Sequence, residues 1–387
     1  MVNGTAKLII DFGNSSTRVQ TIFGKTQKGE PRVKTVELSN AFSSISMEEA
    51  EQYIAEGIYS DEDSSIFVTK GGDVYCNGKL CEVEFSKTME RPSALLEKYK
   101  NISLKWSVIQ AFCVGYKAIA EITNSDIDSI DVDWDVITLL PPDDIDEGAK
   151  VLAEMIKGTQ KVEFLLPKFS KEIKVNTVKV YPEGYAAFIA VLFEAVGKVR
   201  ESYKILIKPR VTTLVVDIGA GTTDFVIIED GHVVRSSRFS RSTGGNNVHQ
   251  TLRRILKKEG IVLKDSEARE GSVAGYVYSG AEKVSIIKEI AEAKTEVSRD
   301  LIDALMEFFE STMISIGSIN YILVVGGGAC ESEVEGIEPI GKYLFDYVKT
   351  LSSRIGLVEL PYVKKGDTEK KLDPRMANVI GAGILAG

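Results

Sequence analysis

Leu214-Val-Val-Asp217-Ile-Gly-Ala-Gly-Thr-Thr-Asp224-Phe-Val-Ile-Ile228 decides how this chain is read. Two apolar, β-branched runs flank a turn made of Gly219, Ala220, Gly221, Thr222 and Thr223, with an aspartate on each side. The pattern predicts a β-hairpin. Its tip suits an anion, because glycine lets backbone N–H groups approach closely and Thr222 and Thr223 add hydroxyl donors. Asp217 ends the first strand, where a carboxylate can hold a hydrated Mg²⁺. Gly-rich turns also close hairpins with no ligand at all, so the stretch alone leaves both readings open.

A second copy shifts the balance toward phosphate. Leu8-Ile-Ile-Asp11-Phe-Gly-Asn-Ser-Ser-Thr17-Arg18-Val-Gln-Thr-Ile22 lies near the N-terminus. Laid over the first stretch, Asp11 falls on Asp217, Gly13 on Gly219, and Ser16 and Thr17 on Thr222 and Thr223. The chain therefore carries two phosphate-type hairpins, one opening each half, and an internal duplication sets the architecture before local detail does.

At 387 residues the chain has room for two domains, each with its own core. No apolar run approaches the roughly 20 residues of a membrane span, and the N-terminus lacks the order of a signal peptide. Cys76, Cys81, Cys113 and Cys330 are too few and scattered for a disulfide framework, and a metal site at Cys76 and Cys81 is disfavoured without a second pair. Two histidines, His232 and His249, argue against a His-rich metal centre or a His-dependent triad. These features predict a cytoplasmic protein. A net charge of −9 disfavours nucleic-acid binding by the whole surface. The one basic run, Arg253-Arg254-Ile-Leu-Lys257-Lys258, reads as a solvated helix face.

In chain order, residues 6–12 and 18–23 form the first hairpin and a third strand follows around Arg32–Leu38. Residues 40–107 read as an inserted subdomain of short strands and tight turns. Leu104–Ile122 has helical spacing. Asp133–Leu140 is a buried strand stopped by Pro141-Pro142, and the acids Asp143–Glu147 open a helix, as the helix dipole favours. Strands are expected at Glu163–Leu166 and Lys174–Val180. Tyr181-Pro182-Glu183-Gly184-Tyr-Ala-Ala predicts a helix with Pro182 in its first turn and Glu183 at its N-terminus.

A basic connection, Val196–Pro209, leads into the second hairpin, and His232–Phe239 follows as a strand. Gly244-Gly245-Asn246 opens a helix and is a candidate anion-binding element. Residues 282–313 are helical, and Asn320–Val325 is a strand feeding Gly326-Gly327-Gly328-Ala329, where backbone can lie flat against a ligand. Gly336–Ser352 is helical, Leu357–Leu360 a strand, and Asp373–Ala386 a small-residue helix suited to close packing.

Five elements stand in one order: a first phosphate hairpin, the strand-to-helix element with Glu183, a second phosphate hairpin, a glycine run after a strand, and a closing small-residue helix. This set resembles the actin, heat-shock chaperone and sugar kinase superfamily, from Leu8 to Ala386. The resemblance implies an α/β, duplicated ribonuclease-H-like (actin-like) fold with two domains around a nucleotide cleft. It implies domain I at 1–182 with the insert at about 40–107, domain II at 183–372 with an insert at about 245–315, and a C-terminal helix, 373–387, returning to domain I.

By the same resemblance, Gly13, Asn14, Ser15, Ser16 and Thr17 grip the phosphates from one side, and Gly219, Ala220, Gly221, Thr222, Thr223 and Asp224 from the other. Asp11 and Asp217 position Mg²⁺ through water. Glu183 activates water for γ-phosphate hydrolysis, as a carboxylate beside a phosphate-bound metal can; a helix-dipole role is the plainer alternative. Gly326–Ala329 face the adenosine, Gly244, Gly245 and Asn246 lie near sugar and phosphates, and Lys294 contacts adenine or ribose.

Within the superfamily, the length argues against a chaperone, which needs a further substrate-binding domain. The ending Asp224-Phe-Val and the phrase Pro182-Glu183-Gly184-Tyr-Ala-Ala are most similar to ParM-type plasmid-segregation actins. Asn14-Ser15 and Asn246-Asn247 depart from the usual pattern and leave ATP against GTP open. The expectation is an ATPase that polymerises head-to-tail, with nucleotide hydrolysis controlling disassembly, and that segregates plasmid DNA through a DNA-binding adaptor protein. Direct nucleic-acid or membrane binding is not expected. A small-molecule kinase and a non-hydrolysing actin-like scaffold are the alternatives.

Overall fold

The structure is a computed structural model that describes residues 1–14, 16–57, 64–85, 89–90, 97–101, 104–157, 160–330, 332, 334–365 and 368–387. It divides into two compact units: Met1–Pro182 with Val379–Gly387, and Glu183–Asn378.

The first unit is built on nine strands: β1 Val2–Phe12, β2 Ser16–Lys25, β3 Pro31–Ser39, β4 Phe42–Ile45, β5 Ser64–Val68, β6 Val74–Gly78, β7 Ile130–Leu140, β8 Gln160–Leu166 and β9 Phe169–Pro182. They form one sheet in the order β3-β2-β1-β7-β9-β8-β5-β6-β4. β1 is an inner strand, antiparallel to β2 and parallel to β7. Residues Leu8–Phe12 are all buried, which is why Leu8–Ile10 read as an unbroken apolar run rather than an alternation.

The insert extends this sheet rather than standing apart, because β5 pairs antiparallel with β8. It carries α1 Met47–Glu56, started by a capping box of Ser46 and Glu49, and α2 Lys79–Glu84. Helix α3, Leu104–Thr123, lies on β1 and β2. Gly115 permits the approach, since a Cβ there would lie 2.8 Å from the Trp134 ring. Trp134 is fully buried, with Tyr116 edge-on at 5.2 Å between ring centres. Helix α4, Ile145–Ile156, has Asp146 and Glu147 in its first turn, the acids that favour a helix start.

The second unit opens with α5 Tyr185–Leu192 and the small hairpin β10 Phe193–Ala195 and β11 Lys198–Val199. Its main sheet uses β12 Thr212–Ile218, β13 Thr223–Glu229 and β14 His232–Arg241, followed by the helices α6 Gly245–Lys258 and α7 Asp265–Ala274. A hairpin of β15 Tyr276–Ser279 and β16 Glu282–Ser285 precedes α8 Ile287–Thr312 and β17 Tyr321–Val325. Then come α9 Ile340–Leu351, β18 Gly356–Leu357, the hairpin β19 Tyr362–Lys365 and β20 Thr368–Lys371, and α10 Ala377–Ala386. The sheet order is β14-β13-β12-β17-β18. This repeats β3-β2-β1-β7-β9, with the same antiparallel meander followed by parallel additions. The duplication seen in two short motifs is a duplication of whole sheets.

Helices α6, α8 and α9 bury Leu252, Val297, Phe308 and Leu344 in one core with Leu214, Val216 and Phe225. The basic run of α6 is partly engaged: Arg254 pairs with Glu296 and Arg253 with Asp265. In the first unit, α10 brings Gly383 against Gln20, where a Cβ would lie 1.9 Å from Oε1. Lys7 Nζ donates to the Ala386 carbonyl at 2.9 Å and to that of Gly387, satisfying carbonyls that a helix end leaves open.

Several elements differ from expectation. Pro182 is the last residue of β9, paired with Leu140, and not the first turn of a helix. Gly184 has a φ of +73°, so the helix starts only at Tyr185. The segment 282–313 is not all helix: Glu282–Ser285 pairs with Tyr276–Ser279 around Gly280, whose φ is +64°. The connection before β12 contains β10, β11 and a 3₁₀ turn over Glu201–Ile207. The helix expected from Gly336 begins at Ile340, after Pro339, and the strand at 357–360 is only Gly356–Leu357. The small-residue helix starts at Ala377, after a 3₁₀ turn over Pro374–Met376.

Candidate functional site

The two hairpins share one register. Asp11 pairs with Arg18 and Phe12 with Thr17 in β1–β2; Asp217 pairs with Asp224 and Ile218 with Thr223 in β12–β13. The aspartates that end the first strands are almost fully buried, Asp11 at 4% and Asp217 at 5% exposure. Both turn glycines press on the chain beyond the turn. A Cβ on Gly13 would lie 2.7 Å from the Ser16 carbonyl oxygen, and one on Gly219 3.1 Å from that of Thr222.

Each turn is braced from outside at the same carbonyl. In the first unit the Asn40 side chain donates to the Gly13 carbonyl at 2.7 Å. In the second, the Gly245 backbone N–H donates to the Gly219 carbonyl at 2.9 Å, and Asn246 N–H to that of Ala220 at 2.7 Å. Gly244 is seated against the turn, since its Cβ would lie 2.6 Å from the Gly219 oxygen. Gly244 N–H donates to Asn247 Oδ1 and Asn247 N–H to the Gly244 carbonyl. The start of α6 therefore departs from the expected anion site: its first donors already have protein acceptors, and Gly244, Gly245 and Asn246 serve to hold the hairpin tip.

The tip itself keeps donors for an anion. Among the described residues, the N–H groups of Ala220, Gly221 and Thr222 donate to no backbone carbonyl. Thr223 Oγ1 donates to the Thr243 carbonyl at 2.7 Å, and Asp224 accepts from Ser240 Oγ, so these two are engaged within the sheet. In the first hairpin, Ser16 Oγ donates to Glu37 at 2.6 Å. Among the described residues, Thr17 Oγ1 and Asn14 Oδ1 are buried with no hydrogen-bond partner; a ligand oxygen can accept from the Thr17 hydroxyl, and a water can donate to Asn14 Oδ1. Ser15 lies outside the described residues. Arg18 lies 3.5 Å from Asp11 and 3.0 Å from Glu37, which places a cation beside the buried carboxylate. Glycine cradles, tip donors and buried acids together fit a phosphate with a hydrated divalent cation.

Glu183 lies one residue beyond β9 and is 6% exposed. The next residue, Gly184, donates its N–H to Asn378 Oδ1 at 3.0 Å, and Asn378 Nδ2 donates to Asp217 Oδ2. One amide thus joins the Glu183 corner to the end of β12. Gly326 and Gly328 also belong to that end: their Cβ atoms would fall 2.4 Å from Asp217 Oδ1 and 2.4 Å from Ile218 Cγ2. Among the described residues, only Gly327 of the three glycines has open space beside it, so the run is one open glycine between two packed ones rather than a flat surface. Lys294 Nζ donates to the Glu338 carbonyl at 3.2 Å, and burial lowers its pKa.

Arg18, Asn40, Ser240 and Asn378 were not singled out from the sequence. The register opposite Asp11 would have drawn attention to Arg18. Nothing local marks Asn378, whose partners lie 161 and 194 residues away.

With its two matching sheets and hairpins, the chain has the two-unit actin-like fold. Residues 215–334 match the family model described as archaeal actin homologue MreB-like, C-terminal. Alp7A, an actin-like protein, aligns with a TM-score of 0.67 at 17% identity, over 100% of this chain and 96% of that one. A subunit of a 15-stranded ParM filament from Clostridium botulinum aligns at 0.63 and 18% identity, over 98% of each chain. Bacillus thuringiensis ParM with ATP aligns at 0.61 and 15% identity, over 99% of this chain and 98% of that one. A search of curated proteins finds no match to the chain. Among the described residues, no helix is long and apolar enough to cross a membrane.

Proposed function

We propose that the chain is a nucleoside triphosphatase that assembles head-to-tail into filaments. The observation that carries this reading is the pair of hairpins in one register, each with a buried aspartate at the same place and a glycine-braced tip. The likeness to a ParM filament and to ParM with ATP supports it.

In this reading the tips at Gly13–Thr17 and Gly219–Thr222 take the phosphates, and Asp11 and Asp217 hold Mg²⁺ through water. Bound Mg²⁺ supplies neutralisation of phosphate charge. Glu183 orients the attacking water and accepts its proton. Gly327 and Ala329 lie against the base or sugar, with Lys294 nearby. ATP is the expected substrate, with GTP as the alternative. A heterologous contact that does not close gives an open filament. The net charge of −9 favours reaching DNA through a basic adaptor, in plasmid segregation, over direct binding.

Light scattering and pelleting with Mg²⁺ plus ATP, GTP, ADP or no nucleotide test the proposal, with Glu183→Ala alongside. Triphosphate-dependent pelleting, with slower phosphate release and preserved assembly in the variant, is expected. Absence of scattering at high protein concentration with every nucleotide would sink the filament reading and direct attention to phosphotransfer onto small molecules.

A further inference from the structure

We infer that Asn378 is a positioning residue that ties the Asp217 carboxylate to the Glu183–Gly184 corner, so that metal affinity at Asp217 and the placement of Glu183 depend on one side chain. The inference rests on the proposed nucleotide reading and assigns within it a role to a residue that touches neither phosphate nor metal.

The geometry uses both ends of the amide. The carbonyl oxygen of Asn378 accepts from Gly184 N–H at 3.0 Å, and its NH₂ group donates to Asp217 Oδ2. The other carboxylate oxygen, Oδ1, lies against the backbone of Gly326, where a Cβ would be 2.4 Å away. Asp217 is therefore bonded on Oδ2 and closely packed on Oδ1. All of this is buried: Asn378 is 8% exposed and Asp217 5%. A carboxamide suits the task because it carries a donor and an acceptor on one rigid plane. A carboxylate there keeps the acceptor but loses the donor, and a hydrocarbon loses both.

The position along the chain adds weight. Glu183 is the first residue of the second unit and Asn378 the last. The two places where the main chain enters and leaves this unit are thus joined by one hydrogen bond. Gly184 is also the residue before α5, with a φ of +73°, so its N–H has no partner within a helix. Removing the Asn378 carbonyl frees the corner that aims Glu183, and removing the NH₂ group frees the carboxylate that orients metal-bound water. Partners that orient a metal-binding group typically contribute about 10–100-fold to affinity or activity.

Asn378→Ala and Asn378→Asp separate the two halves of the role. The measurements are the Mg²⁺ concentration giving half-maximal binding of a fluorescent ATP analogue, kcat and KM for hydrolysis, and the melting temperature without ligand. In Asn378→Ala the half-saturating Mg²⁺ rises about 10-fold and kcat falls about 10–100-fold, with KM little changed. In Asn378→Asp the acceptor for Gly184 N–H is kept and the donor to Asp217 is lost. Its Mg²⁺ dependence therefore shifts while kcat at saturating Mg²⁺ falls less than in Asn378→Ala, a split that a filler of space would not show. Variants that melt lower yet keep the native Mg²⁺ dependence and kcat overturn the inference and leave the nucleotide reading standing. A native protein whose nucleotide binding ignores Mg²⁺ overturns both.

Discussion

Gly326 faces the Asp217 carboxylate so closely that a Cβ on it would lie 2.4 Å from Oδ1 and 2.5 Å from the Ile218 carbonyl oxygen. Its φ of +79° adds a backbone conformation that L side chains resist. Its neighbour Gly327 has nothing within 4 Å of a Cβ position. The pair separates packing from ligand contact. Gly326→Ala should destabilise the second unit by about 2–4 kcal/mol and weaken nucleotide binding with it. Gly327→Ala should leave the melting curve within about 0.5 kcal/mol of native. If Gly327 lies against base or sugar, that variant still binds nucleotide less tightly, and equal binding by Gly327→Ala and the native chain would remove Gly327 from the site.

Acid should weaken the second unit through His249. Burial first and Arg269 second push its pKa to about 4, against a smaller opposite pull from Asp265, and among the described residues its buried Nδ1 has no partner. The sign follows from comparing states. An unfolded histidine takes up its proton near about pH 6.5, so between that value and about 4 the unfolded chain binds more protons. Stability is complete above the upper limit and declines as pH falls through the window. The loss should reach about 2 kcal/mol after allowance for partial solvent contact. Urea midpoints at about pH 7.5 and about pH 5 should differ more for the native chain than for His249→Phe. Equal slopes in the two proteins would assign the acid sensitivity elsewhere.

Asn40 should matter to the first hairpin out of proportion to its size. It is 1% exposed and supplies the donor to the Gly13 carbonyl. Asn40→Ala leaves that carbonyl short of a partner in a buried setting, a change costing about 1–3 kcal/mol. Chemical denaturation measures it, and a cost near zero would mean that water takes over the bond.

Arg18 should act on nucleotide binding more than on folding. It lies between Asp11 and Glu37 at the mouth of the first turn. Arg18→Met keeps the aliphatic stem and removes the cation, leaving Asp11 with less compensation in a buried place. Triphosphate affinity should fall about 10-fold or more, with a smaller change in melting temperature. Unchanged affinity would mean that the guanidinium only neutralises its two acids.

Much of this fold was legible because its strands are local in their chemistry. The C-terminal halves of β1 and β7, and nearly all of β12 and β17, are buried on both faces, and such strands write themselves as largely apolar, β-branched runs. The hairpin overlay worked because turn glycines and strand-ending aspartates sit at fixed offsets, and the register reproduces it. Legibility failed where a residue's role depends on something remote. Pro182 read as a helix start until β7 extended the strand to it. Strand β16 hid at the start of a stretch expected to be helical because it is only four residues long and pairs with β15 outside that stretch. The glycines of 326–328 read as one flat surface, whereas two are packed and one is open. Asn378 was invisible, since hydrogen bonds to Gly184 and Asp217 leave no trace in spacing.

The two braces on the hairpin carbonyls have unequal futures under mutation. Gly13 is held by the side chain of Asn40, so a single base change can remove the support. Gly219 is held by the main chain of Gly245, and every residue but proline offers the same N–H, although the neighbouring Gly244 tolerates no added Cβ. As sequences drift, the first half must keep Asn40 itself to hold its turn, while the second must keep Gly244 but is indifferent to the side chain at 245. Two halves that began alike would then hold similar turns with different supports, one a side-chain amide and the other the start of α6.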